Sequence, residues 1–353
     1  MNEQEKAIDL LERRPKFAKA ILSRNYPFTL EQLKEYEDIL NWQLVGSNRK
    51  MTWTAEIIDA FKEKWDWEVL SFNPTIPWSE ELIDQFSAYW NVMTLSENES
   101  IPWTADLLEK HKDFWVWPNL SMNQGLPWSL ALIEQFESHL VFEYLSVNPA
   151  LPWTEQFIDH YKDRWDWESM ACNPGLPWTL DLVEKHLDSW SWQSLSTNEK
   201  LPWDEILTKY PDEVDFWFAS GNPGFPWTKE LIEQHKDDIN FEMISGVKSL
   251  PVDDGLINTF EGELNWGNDG ISANEAVSWS PQFIETHQDK LDFFADFGLA
   301  GTESVPWTAD LLEQFKDKWN FARLSLNRKL WEKAFEPYMG TMSLESLLQL
   351  QED

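Results

Sequence analysis

A tryptophan recurs every 25 residues through the middle of this chain, at 53, 78, 103, 128, 153, 178 and 203, each after proline or, at Trp53, threonine. Phe28 lies one step earlier, and Trp227, Val252, Trp279 and Trp307 continue at steps of 24, 25, 27 and 28. A repeat this short cannot enclose a core by itself. Its apolar side must be buried against the repeats before and after it, so the chain is constrained to a stacked array. Twelve repeats run from Phe28 to about Leu330.

One repeat reads PWTxxLLExxKDxWDWxxLSxNPxL. The residue after the anchor tryptophan is Thr54, Ser79, Thr104, Asp204 or Thr228, each able to cap a helix by accepting a free backbone N–H. Apolar pairs such as Ile57/Ile58 and Leu107/Leu108 follow, then a ring at Phe61, Phe86, Phe136 or Phe315, which is helical spacing. This predicts a leading helix of about ten residues. Asp66 or Asp166 then caps a shorter trailing helix with Trp67 and Leu70, or Trp192 and Leu195, on one face. Asn73–Pro74 and its equivalents end it, the asparagine being expected to turn left-handed and the proline unable to continue a helix. The asparagines are also expected to hydrogen-bond from repeat to repeat. The rival reading is a leucine-rich repeat, because Leu70-Ser-Phe-Asn73 matches the end of that signature. Strand alternation fails, since Glu68 stands where an apolar residue is required. The predicted fold is an all-α, right-handed solenoid of about twelve two-helix repeats of ~25 residues with N- and C-terminal caps.

The organisation expected is an N-terminal cap made of a worn repeat over 1–26, regular repeats over 27–249, degenerate repeats with insertions over 250–302, a final repeat over 303–330 and a C-terminal cap over 331–353. The NPxLPW…WDWxxLSxN pattern resembles the uncharacterised tryptophan-rich tandem-repeat proteins over nearly the whole chain. That resemblance implies a repeat protein and carries over no catalytic residue. The helix pairs are similar in kind to tetratricopeptide and Sel1-like α-solenoids, many of which are adaptors.

The net charge of −34 with 62 acidic residues disfavours direct binding to nucleic acid or an anionic membrane, which needs positive potential. It suits solubility or a basic partner. The 24 tryptophans argue against disorder. One cysteine, Cys172, allows no intrachain disulfide, and with no secretory signal or long apolar run a cytoplasmic location is expected.

Chemistry-bearing motifs are sparse. No GxGxxG, GxxxxGK(S/T), GxSxG or HExxH is present. His111, His186, His235 and His287 fill the slot of Phe61 and Tyr161, which reads as ring packing rather than metal ligation. No cofactor, metal site or catalytic residue is expected. Acids six residues after the anchor do recur: Asp59, Asp84, Glu109, Glu134, Asp159, Glu184, Glu233, Glu285 and Glu313. Others lie three or ten residues after it, so the set falls on one helix face and stacks into an acidic ribbon. A solvated outer face explains it, and so does a docking surface for a basic protein.

Positions that vary within a constant frame are free for recognition. On the trailing helix these are Val69, Thr94, Asn119 and Tyr144 in one row, and Phe72, Glu97, Met122, Val147 and Cys172 in another, three residues away on the same face. The function expected is non-enzymatic binding of a protein or peptide by this face. The alternatives are an acidic mimic occupying the nucleic-acid site of a basic protein, and an enzyme or enzyme inhibitor with a site in 250–302, where glycines loosen the repeats.

Overall fold

Thr154 turns the extended chain into a helix because its side chain accepts from Phe157 N at 3.1 Å, and Ser79, Thr104 and Thr308 do the same in their repeats. Asp66 starts the trailing helix by accepting from Glu68 N and Val69 N. In the computed structural model, which describes residues 1–295, 297–341 and 343–349, every regular element among the described residues is helical. The chain is a tryptophan-rich, all-α helical-repeat solenoid with helix pieces spaced about 25 residues apart. None of these helices is long and apolar enough to cross a membrane.

Three details differ from the sequence reading. Leading helices span six or seven residues, as in Ala55–Ala60 and Leu130–Phe136, not about ten. In most of them the ring residue is itself the C-cap, with Phe61 at φ −124°. Asn98, Asn123 and Asn148 end trailing helices in extended backbone near φ −70°, and Asp269 is the one described non-glycine residue with positive φ. Asp204 is not a cap, because its helix, Trp203–Lys209, begins one residue earlier and takes Asp204 into the first turn.

The tryptophans explain how helices this short survive. Trp153 Nε1 donates to Asn148 O at 2.9 Å, Trp165 Nε1 to Ile158 O at 3.0 Å and Trp167 Nε1 to Lys162 O at 3.0 Å. Each of these three indoles buries an apolar body and gives its one donor to a carbonyl at a helix end or tight turn. Phenylalanine would supply only the first. Edge-on contacts between rings, such as Trp67 and Trp90 at 4.9 Å, join one repeat to the next.

The constant Ser and Asn of LSxN form the expected ladder. Asn173 Nδ2 donates to Ser146 O at 2.8 Å and to Asn148 O at 3.2 Å, while Asp166 N donates to Ser146 Oγ at 3.0 Å. Where Thr302 replaces the asparagine, its Oγ1 donates to Ser272 O at 2.8 Å.

The array divides into two compact bodies, Trp53–Pro226 and a bipartite one made of Met1–Thr52 with Trp227–Asp353. The first is an uninterrupted run of regular repeats. In the second, Glu3–Glu12 and Pro15–Asn25 form a complete helix pair. Glu3–Glu12 packs on Ala309–Gln314, and Pro15–Asn25 packs on Trp42–Gly46, Phe321–Leu324 and Leu344–Leu348. Phe17 is wedged edge-on between Phe321 at 5.2 Å and Phe335 at 5.8 Å. The basic character of this segment is matched by the acids it meets: Arg13 Nη2 lies 2.9 Å from Glu313, and Lys6 pairs with Asp310. Within 250–302, the trailing helices shrink to single 3-10 turns at Ile271–Ala273 and Leu299–Gly301.

Candidate functional site

A trailing helix of five or six residues has one buried side, such as Leu70 and Ser71, and must turn the rest toward solvent. In the body Trp53–Pro226 this exposes Phe72, Met122 and Val147 by 51%, 41% and 39%. Cys172 is also exposed, Val69, Thr94, Glu97 and Tyr144 are half-buried, and Asn119 is buried. The rows are continuous from repeat to repeat. Thr94 Oγ1 donates to Glu68 O at 3.3 Å, Asn119 Nδ2 to Glu97 Oε1, and Thr197 Oγ1 to Cys172 Sγ at 3.1 Å. Met93 and Trp217 join the exposed apolar residues of these helices. They escaped the sequence reading because they occupy the slot that is acidic at Glu68, Glu143 and Glu168, and their apolar character there is the signal that could have found them. The arrangement presents side chains at regular intervals on a frame tied by backbone hydrogen bonds.

The acidic residues lie on the leading helices. Asp59, Asp84, Glu109, Glu134, Asp159, Glu233 and Glu285 are exposed, and Glu184 and Glu313 half-buried. Much of the ribbon is stapled by cations reaching across a repeat. Lys185 Nζ lies 2.9 Å from Asp159 and 3.1 Å from Glu155, Lys110 holds Asp84 and Glu80, and Lys209 pairs with Glu184. The Lys185 hydrogen bond holds the Asp159 carboxyl below its usual range, and Lys209 and Tyr210 do the same for Glu184. Glu134 and Glu285 have no ion-pair partner among the described residues.

Glu80, Asp84 and His111 bring three possible ligand atoms together, with His111 Nε2 3.2 Å from Asp84 Oδ1. Lys110 Nζ already sits against both carboxylates, which opposes a cation there. The grouping recurs at Glu155, Asp159, Lys185 and His186, as a repeated packing device would. His186 lies over Trp167 at 4.9 Å and His287 over Trp266 at 4.8 Å, and burial pushes both imidazoles below their ordinary pKa.

The degenerate stretch contributes two cavities of the bipartite body. One of about 560 Å³ is lined by Asp253, Ile257, Val277, Phe283, Thr286 and His287. The other, of about 260 Å³, lies where the trailing-helix slot shrinks to Gly246, Ala273 and Gly301, beside Asp269, Glu275 and Arg323. Among the described residues, neither pairs a nucleophilic side chain with a base at hydrogen-bond distance. Comparison with models of known families, with curated proteins and with solved structures found no match.

Proposed function

We propose that this chain is a non-enzymatic, cytoplasmic adaptor that binds a protein or peptide along the exposed face of its trailing helices, and that its repeats belong with the tryptophan-rich tandem repeats they resemble. The observation that carries this reading is the exposure of Phe72, Met122 and Val147 in one row on a frame whose constant positions are spent on packing and hydrogen bonding. Large apolar side chains carried into solvent on a hydrogen-bonded backbone frame suit anchors of an interface, because the frame need not be ordered when they are covered. Spacing by repeat suits an extended segment reading several pockets in turn.

Panning a peptide display library on the immobilised protein tests this. Selected peptides are then measured against the triple variant Phe72→Ser, Met122→Ser, Tyr144→Ser. The expected outcome is a loss of at least tenfold in affinity with an unchanged circular dichroism spectrum. Equal affinity for the variant would sink the reading. The second reading, a charge mimic, draws on the exposed carboxylates Glu134 and Glu285. It predicts basic peptides whose binding falls steeply with salt and is lost on neutralising Glu134, Asp159 and Glu109 instead.

A further inference from the structure

In a chain of net charge −34, uncompensated positive charge is scarce, and the structure gathers some of it in one place. A cavity of about 450 Å³ in the bipartite body is lined by Arg24, Arg49, Lys50 and Arg328, with Glu303 and Glu332 as its only acids. This volume lies within the range of small-ligand sites, roughly 300–1,000 Å³. The fold assembles it by bringing the first repeats beside the last. Arg24 and Ser47 come from the same LSxN slot that holds Phe72 and Met122 elsewhere, and Leu326 fills that slot opposite them. Arg49 and Arg328 come from the next position, which is proline at 74, 149 and 174.

The pairing is incomplete. Lys50 Nζ meets Glu336 at 2.9 Å, and Arg328 Nε meets Glu332 at 3.2 Å, an acid shared with Lys329 at 2.8 Å. Arg24 donates only to Ser47 Oγ, at 3.1 Å, and neither Arg24 nor Arg49 has a carboxylate within ion-pair distance among the described residues. Arg24 is half-buried, and burial, then Arg49, then Arg323, push its guanidinium below the ordinary range. Arg323 Nε is buried with no hydrogen-bond partner among the described residues. A half-buried guanidinium with a second, exposed guanidinium beside it and no carboxylate within ion-pair distance carries an electrostatic cost. An anion reverses the sign of that cost. Arginine presents a planar fork of donors that fits a phosphate oxygen pair, whereas lysine is a point charge.

We propose that this cavity is a binding site for a small phosphate-bearing anion, with Arg24 and Arg49 as its principal ligands and Lys50 and Arg328 at its rim. Its residues belong to the bipartite body, whereas Phe72, Met122 and Val147 belong to Trp53–Pro226. Glu303, which also lines the cavity, opposes an anion there.

The test is calorimetric titration of the full chain with sodium pyrophosphate, against sodium chloride at matched ionic strength. The expected result is one site per chain, with affinity reduced at least 30-fold in Arg24→Gln/Arg49→Gln and unchanged in Lys112→Gln. Arg49→Gln alone should melt no lower than the parent without ligand, because it relieves repulsion, so lost binding is not lost folding. Glu303→Gln should tighten binding severalfold. ADP run beside pyrophosphate separates the two sources: tighter ADP binding assigns the phosphate to a nucleotide, and equal affinity to an inorganic polyphosphate. No heat beyond the chloride control, or equal affinity in the double arginine variant, overturns the proposal.

Discussion

Asn148 makes three hydrogen bonds from one buried side chain. Nδ2 donates to Ser121 O at 3.0 Å and Asn123 O at 3.3 Å, and Oδ1 accepts from Ala150 N at 2.9 Å. Removing it strands buried backbone groups, each costing on the order of 1–3 kcal/mol. Asn148→Ala is therefore expected to lose about 3 kcal/mol by urea titration, and Asn148→Thr about half of that, because Thr302 keeps one such bond. A loss below about 1 kcal/mol for the alanine variant would contradict the ladder's role. The half-buried imidazoles give a pH dependence. Folding lowers the pKa of His186 and His287, so between the folded and ordinary values the unfolded chain binds more protons. Their contribution to stability is complete above the ordinary histidine range and is lost as pH falls through the lowered values. Asp159 and Lys185 both face His186, and the acid only partly offsets burial. Replacing both histidines with phenylalanine, which fills the slot at 61 and 86, should flatten the fall in melting temperature between pH 7 and pH 5. An unchanged slope would count against it.

Helices of five or six residues do not persist alone in water, so their stability comes from caps and neighbours. Thr154→Ala, which removes the acceptor for Phe157 N, should cost about 1 kcal/mol by thermal unfolding. Caps and apolar pairs were legible in the sequence because they act over three or four residues. Helix length was not, because what ends the leading helix is a ring at the C-cap and indoles that take its last carbonyls, contacts no local pattern displays. The asparagine was legible as a terminator, but not its extended backbone, since the cause is a carbonyl in the preceding repeat. The variable face could be read by comparing repeats, as Phe72 and Met122 illustrate. Met93 and Trp217 could not be found by looking only at slots already apolar. The Arg24 and Arg49 cluster was hidden because its members and Arg328 lie about 300 residues apart in sequence.

Across the whole molecule, the least local contacts are those of the first helix pair with 309–348. Phe17, 4% exposed between two rings, holds that contact by packing. Phe17→Ala should destabilise the bipartite body by about 3–5 kcal/mol, read by urea titration. Arg13→Gln removes a half-exposed pair with Glu313 and should cost far less, with an effect that shrinks as salt rises. A larger loss from Arg13 than from Phe17 would mean that charge, and not the aromatic wedge, joins these segments.

The wedge also sets an order of events during synthesis. At roughly 5–20 residues per second, a ribosome releases Phe17 some 15–60 s before the rings at 321 and 335 that cover it. Trp53–Pro226 meets no such delay, since every repeat in it finds its neighbour next in the chain. For about the last third of its synthesis, after residue 226 of 353, the nascent protein therefore has one body complete and, ahead of it, an aromatic helix pair whose covering rings have yet to emerge.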